Sequence, residues 1–148
     1  MKKVLIAYSS LTGKTKKMAE YIAEGVRFSE QMVTVKKVSD IKNAEDLAGY
    51  DGYIFGSPTY HRDQTEPIKI LLFLARKANL EGKLGGAFGS YTHDGNAPAM
   101  IFDIMQYVFK MEPFVLGPVK LLEAKVAISE GLHTCQDYGR LFGQKLGS

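Results

Sequence analysis

A chain of 148 residues has the length of one ordinary domain, large enough to bury roughly two-thirds of its unfolded surface. With 45% hydrophobic and 24% charged residues and a scattered net charge of +3, it has the composition of a soluble globular protein and lacks the massed basic surface of a nucleic-acid binder. The first apolar run ends at Ala7, too early for a signal peptide, no segment approaches the roughly 20 apolar residues of a membrane span, and Cys135 is the only cysteine, which excludes an internal disulfide, a CxxC pair and a cysteine zinc site. The expectation is a cytoplasmic protein whose redox chemistry, if it has any, belongs to a bound cofactor.

Lys3 to Tyr8 (KVLIAY) is a short continuous apolar run, as expected for a strand buried on both faces of a parallel sheet. From Thr15 to Val26 the pattern changes: Met18, Ile22 and Val26 recur every fourth residue among Lys16, Lys17, Glu20 and Glu24, which predicts an amphipathic helix. Gln31 to Val38 reads as a second strand, Asn43 to Leu47 as a short helix or turn, and Tyr53 to Gly56 as a third strand. After a long loop, Pro67 opens a helix to about Ala78. Gly85 to Gly89 reads as a fourth strand whose glycines permit close backbone approach, followed by the polar loop Tyr91 to Asn96. Pro98 opens a helix to Phe109 with more apolar surface than one sheet face requires, so a partner surface or homodimer is conceivable there. A last strand runs from Pro113 to Val119, interrupted near Pro118, with a further extended piece from Lys125 to Ile128. The closing helix starts after Ser129 as N-cap and buries Leu132, Cys135, Phe142 and Leu146.

Alternating strands and helices predict an open parallel sheet covered on both faces. In such sheets the ligand lies outside the carboxyl ends of the strands where strand order reverses, which directs attention to the loops after the first, third and fourth strands. The first, from Ser9 through Ser10, Leu11, Thr12, Gly13 and Lys14 to Thr15, is rich in hydroxyls and runs into a helix N-terminus. Its backbone N–H groups and the hydroxyls of Ser10, Thr12 and Thr15 make a phosphate cradle. Gly13-Lys14-Thr15 also matches the tail of the nucleoside-triphosphate loop, but that pattern requires glycine where Tyr8 stands. A single terminal phosphate fits better. His61 and His93 have no third ligand at a spacing that would make a metal site.

The strand KVLIAY followed by SSLTGKT and Met18-Ala19 resembles the phosphate signature of flavodoxins. Gly56-Ser57-Pro58-Thr59-Tyr60 is similar to the second flavin loop, in the form found in the flavodoxin domains of A-type (diiron) flavoproteins and in flavodoxin-like quinone reductases. Ala87-Phe88-Gly89-Ser90-Tyr91, with His93 and Gly95 following, resembles the third. The likeness spans nearly the whole chain, and three separated motifs in order carry more weight than any one.

The resemblance implies a flavodoxin-like α/β fold, an open twisted five-stranded parallel sheet of order 2-1-3-4-5 with helices on both faces, in a single domain. It also implies flavin mononucleotide (FMN) held non-covalently. Ser9, Ser10, Leu11, Thr12, Gly13, Lys14 and Thr15 would hold the phosphate. Pro58, Thr59, Tyr60 and His61 would line one side of the ring, and Ser90, Tyr91, Thr92, His93, Asp94 and Gly95 the other. The implied function is an electron carrier working between redox partner proteins. The alternative is a small NAD(P)H-dependent quinone or flavin reductase. Two departures from the family pattern bear on the potential. The turn Tyr60-His61-Arg62-Asp63 lacks the glycine whose peptide flips in typical flavodoxins. Arg62 and the two histidines also bring positive charge where typical flavodoxins are acidic, which would raise the second-step potential.

Overall fold

The computed structural model describes residues 1–59, 65–93 and 95–148. β1 (Lys3–Tyr8) is followed by α1 (Lys14–Phe28), β2 (Met32–Lys37) and two 3-10 turns over Val38–Asp40 and Ala44–Leu47. The second turn is closed by a reciprocal pair, in which the Asn43 side chain accepts from Asp46 N–H and the Asp46 carboxylate accepts from Asn43 N–H. Then come β3 (Gly52–Gly56), α2 (Glu66–Ala78), β4 (Leu84–Tyr91), α3 (Asn96–Asp103), β5 (Glu112–Pro113), β6 (Val119–Leu122), α4 (Glu123–Val126) and α5 (Ser129–Gly147).

The sheet runs β2-β1-β3-β4-β5, with β6 also paired to β4, and every pairing is parallel. Strand order therefore reverses between β1 and β3, as the sequence implied. β1 shows why a continuous apolar run was required. Val4, Ile6 and Tyr8 enter the core beneath α1 and α5, while Leu5 and Ala7 enter the core beneath α2 and α3. The register places Tyr8 opposite both Lys37 and Gly56, and Gly56 opposite Phe88, so the carboxyl ends of β2, β1 and β3 lie level along one edge and β4 runs three residues past them to Tyr91. α1 and α5 pack backbone to backbone: a Cβ on Gly25 would lie 2.0 Å from the Gln136 carbonyl, and one on Gly139 would lie 2.0 Å from that of Ile22.

The C-terminal third departs from the sequence reading. The expected strand from Pro113 to Val119 is split. β5 pairs with Leu84–Gly85, Phe114 to Pro118 leave the sheet, and β6 pairs with Phe88–Tyr91. Pro113 and Pro118 have no N–H for a ladder, and the Gly117 N–H turns back onto the Phe114 carbonyl at 2.9 Å. The gap is filled by Tyr138, whose hydroxyl donates to the Gly117 carbonyl at 2.7 Å and accepts from Ala87 N–H at 3.3 Å. The expected extended piece Lys125 to Ile128 forms no strand: Lys125 and Val126 are the end of α4, with the Val126 side chain buried in the core, and Ala127 and Ile128 turn into α5. Ser129 is the first residue of α5 and makes no capping bond. Leu132 and Leu146 are half-buried, while Cys135, Tyr138 and Phe142 are the apolar residues of α5 that are fully enclosed. The helix expected from Pro98 begins at Asn96 and opens into a π turn over Ile104–Val108. Phe109 N–H reaches the Ile104 carbonyl five residues back, and Met105 and Phe109 both face the core. Met100, Tyr107 and Val108 stay exposed, in keeping with the surplus of apolar surface. Among the described residues no helix is long and apolar enough to cross a membrane.

Candidate cofactor site

The carboxyl ends of β1, β3 and β4 carry the three loops singled out by sequence, and hydrogen bonds lash these loops together. Ser9 N–H donates to the Gly56 carbonyl at 3.0 Å, Ser57 N–H to that of Phe88 at 3.1 Å, and Thr59 N–H to that of Ser90 at 3.1 Å. Gly89 has to be glycine for this approach, because a Cβ there would sit 2.0 Å from the Ser57 carbonyl. Buried hydroxyls continue the lashing. Thr15 Oγ1 and Ser90 Oγ are 2.9 Å apart, and Ser9 Oγ and Thr65 Oγ1 are 2.6 Å apart.

The first loop is built to leave donors free. Gly13 stands immediately before α1 at φ +88°, a left-handed conformation that other residues adopt only with strain, and it offers no side chain to cap the helix. Ser10 Oγ accepts from the N–H groups of Gly13 at 3.1 Å and Lys16 at 3.3 Å, and the first helical bond runs from Lys17 N–H to the Gly13 carbonyl. The N–H groups of Thr12, Lys14 and Thr15 have no acceptor among the described residues. The first turn of α1 holds no acidic residue. An uncapped helix N-terminus with free amides is an anion site of the kind a phosphate ester occupies. Thr12 donates its hydroxyl to a Glu123 carboxylate oxygen at 3.2 Å, and Leu11 projects into solvent at the tip.

In the second loop Pro58 is buried and Thr59 half-buried, and Thr59 Oγ1 accepts from Ala97 N–H at 3.0 Å, tying the second loop to the start of α3. In the third, Ser90 is fully buried, Tyr91 is half-buried, Thr92 and His93 are exposed, and Gly95 is buried just before α3. Lys120 Nζ lies 5.5 Å from the centre of the Tyr91 ring, within cation–π range. Tyr60, His61 and Asp94 lie outside the described residues, as do Arg62 and Asp63.

Four residues of the site were missed by sequence reasoning. Thr65 meets both Ser9 and Ser57 through hydroxyls, while Glu123 and Lys120 arrive from the far side of the split strand. Ser57 stood within the second-loop motif itself. Nothing local marks the other three, since their relevance comes from the crossing of the chain. Tyr8, at the end of β1, is buried; its phenol is held above the ordinary value first by burial and then by the charges of Glu20 and Asp40.

The donor set suits FMN. Amides without acceptors among the described residues stand at the start of α1 beside the buried Thr15–Ser90 hydroxyl pair, and the Thr59–Ser90 backbone bond holds the second and third loops together. A model of the Flavodoxin domain family matches residues 5–98. A flavodoxin of Clostridium saccharobutylicum is 29% identical over 99% of this chain and 96% of its own length. An NAD(P)H dehydrogenase (quinone) of Acidithiobacillus ferrooxidans is 33% identical over 79% of this chain and 71% of its own. The structure of a flavodoxin from the domain Archaea superposes with a TM-score of 0.88 at 26% identity, covering 99% of both chains. With the free amides before α1, the reversal of strand order between β1 and β3 and three lashed loops at that edge, the chain belongs to the flavodoxin family, whose members bind FMN and transfer electrons.

Proposed function

We propose that this chain carries electrons between redox partner proteins, with FMN held in the three loops. FMN supplies the electron-accepting ring, and the protein supplies binding, orientation and electrostatics. The N–H groups of Thr12, Lys14 and Thr15, with the Ser10 hydroxyl and the dipole of α1, hold the phosphate. Thr59 and the buried Thr15–Ser90 pair fix the spacing between the loops, and Pro58 and Tyr91 exclude water from the two sides of the ring. By the resemblance of their motifs, Tyr60, His61 and Asp94 would be further contacts to the ring. The observation that carries this reading is the trio of amides without acceptors at a glycine-preceded helix start.

Positive charge at the rim of the ring favours a negatively charged reduced flavin. Lys120 beside Tyr91 brings such a charge to the third loop, so the second reduction step lies at higher potential than in acidic flavodoxins. The test is an anaerobic reductive titration of the FMN-loaded protein followed by its visible spectrum. Two resolved one-electron steps, the second at a potential above that of an acidic flavodoxin measured alongside, support the reading. Likeness to a quinone dehydrogenase favours a second reading, in which the chain itself reduces quinones with NAD(P)H. Reduction in one unresolved two-electron step, together with quinone-dependent oxidation of NAD(P)H, would put that reading first.

A further inference from the structure

A second cleft opens on the other side of the first loop, between the carboxyl ends of β1 and β2. Its volume is about 330 Å³, and Tyr8, Lys16, Lys37 and Ser39 line it beside Val38 and Pro67. Among the described residues, none of Ser57–Thr59, Ser90–His93 or Gly95 lines it, although Ser9, Ser10 and Gly13 form a wall common to the cleft and the phosphate loop. β2 lies beyond β1 from β3 and β4, and its end supplies Lys37 to the cleft.

Among the described residues its lining carries two lysines and several hydroxyls and no carboxylate. Tyr8 is only 4% exposed, lines the cleft, and its phenol has no hydrogen-bond partner among the described residues. A buried hydroxyl without a partner is rare enough to need a reason, and a ligand acceptor supplies one. The ammonium groups of Lys16 and Lys37 and the hydroxyl of Ser39 are likewise without an acceptor among the described residues. α2 also begins beside the cleft, with Pro67 in its first turn, although Glu66 in the same turn offsets the positive end of its dipole. Glu20 and Asp40 act on the Tyr8 phenol from outside the lining. Among the described residues no arginine fork for a planar carboxylate lines it; point donors from several directions suit a tetrahedral dianion.

We propose that this cleft is a second anion site, taking the phosphate group of a small phosphorylated molecule while FMN occupies the neighbouring loop. The volume is at the low end for ligand pockets and limits the occupant to a phosphate with a compact organic group. Lys37 and Tyr8 provide the specific contacts, and Val38 and Pro67 the apolar floor.

The test titrates FMN-loaded protein with inorganic phosphate, then with a phosphorylated sugar, following backbone amide resonances at constant ionic strength. Saturable shifts centred on Lys37, Val38 and Ser39 are expected. Lys37→Gln should weaken binding about three- to tenfold, and Tyr8→Phe should weaken it without unfolding the protein. The affinity for FMN, measured by fluorescence quenching, should change less than about twofold in Lys37→Gln, since one exposed charge outside the loop is worth little. Shifts confined to residues 10–15 and seen only before FMN is added would show that phosphate recognises the flavin loop alone and would overturn the proposal. Equal binding by Lys37→Gln and the unaltered protein would overturn it too. Neither result touches the FMN reading, which stands on the loading titration itself.

Discussion

Tyr138 shows how much one hydroxyl can decide. It closes the gap between β5 and β6 by serving an amide of one strand and a carbonyl of the loop that interrupts the next. Tyr138→Phe leaves the Ala87 N–H buried without a partner and the half-buried Gly117 carbonyl to solvent, at a cost of about 1–3 kcal/mol, which a urea titration reads directly. Cys135, one turn earlier on the same helix, is fully buried, and burial alone pushes its thiol up to about 12. The group is raised in the folded state, so its contribution to stability is complete below its unfolded value near 9 and is lost as pH rises towards 12. The Tyr138 phenol is raised for the same reason and acts in the same direction. Stability should therefore be level from neutral pH to about 9 and fall above it, and Cys135→Ala should flatten the first part of that fall. A thiol reagent should leave Cys135 untouched until the protein is unfolded.

At the scale of elements, the contact between α1 and α5 rests on two glycines facing opposite backbones. Gly139→Ala places a methyl against the Ile22 carbonyl and must separate the helices, costing about 1–3 kcal/mol. Thermal unfolding of Gly139→Ala, with an alanine at an exposed α5 position such as Gln144 as control, isolates the effect. Gly13 works differently, since open space surrounds its Cβ position and only its backbone conformation matters. Gly13→Ala should fold, yet hold the loop away from φ +88° and weaken FMN binding by about five- to tenfold, the equivalent of roughly 1 kcal/mol of strain. An unchanged dissociation constant would remove Gly13 from the cofactor site.

For the whole molecule the relevant quantity is charge. A net +3 sets this chain apart from acidic flavodoxins, and the edge that bears the loops carries Lys14, Lys16, Lys37 and Lys120. A partner docking there would be acidic on its contact face, and electron transfer should slow as salt is raised, since steering between opposite charges is screened over about 10 Å at 0.1 M. Lys120→Gln removes a positive charge near the third loop and should lower the second reduction potential by on the order of tens of millivolts, with little change in the first. Potentiometry of the two proteins side by side checks both signs.

Periodicity and composition determined the elements through α3, because β1, β3 and β4 are buried runs bounded by turn residues, β2 is a half-buried edge strand, and each helix shows one apolar stripe. Motif order determined the family and the edge of the sheet where its cofactor sits. The amides left without acceptors before α1 follow from Ser10 and Gly13 and were legible in the same way. The split of the last strand, the helical turn at Glu123–Val126 and the places of Thr65, Lys120 and Glu123 in the site were decided only by tertiary structure. In each case the partner lies dozens of residues away: Tyr138 replaces a ladder bond at Ala87, Val126 is drawn into the core, and Glu123 meets Thr12 across 111 positions of chain. Local sequence encodes what a segment can bury and how its backbone turns. Which distant group satisfies an amide, a hydroxyl or a charge depends on the packing of the whole sheet.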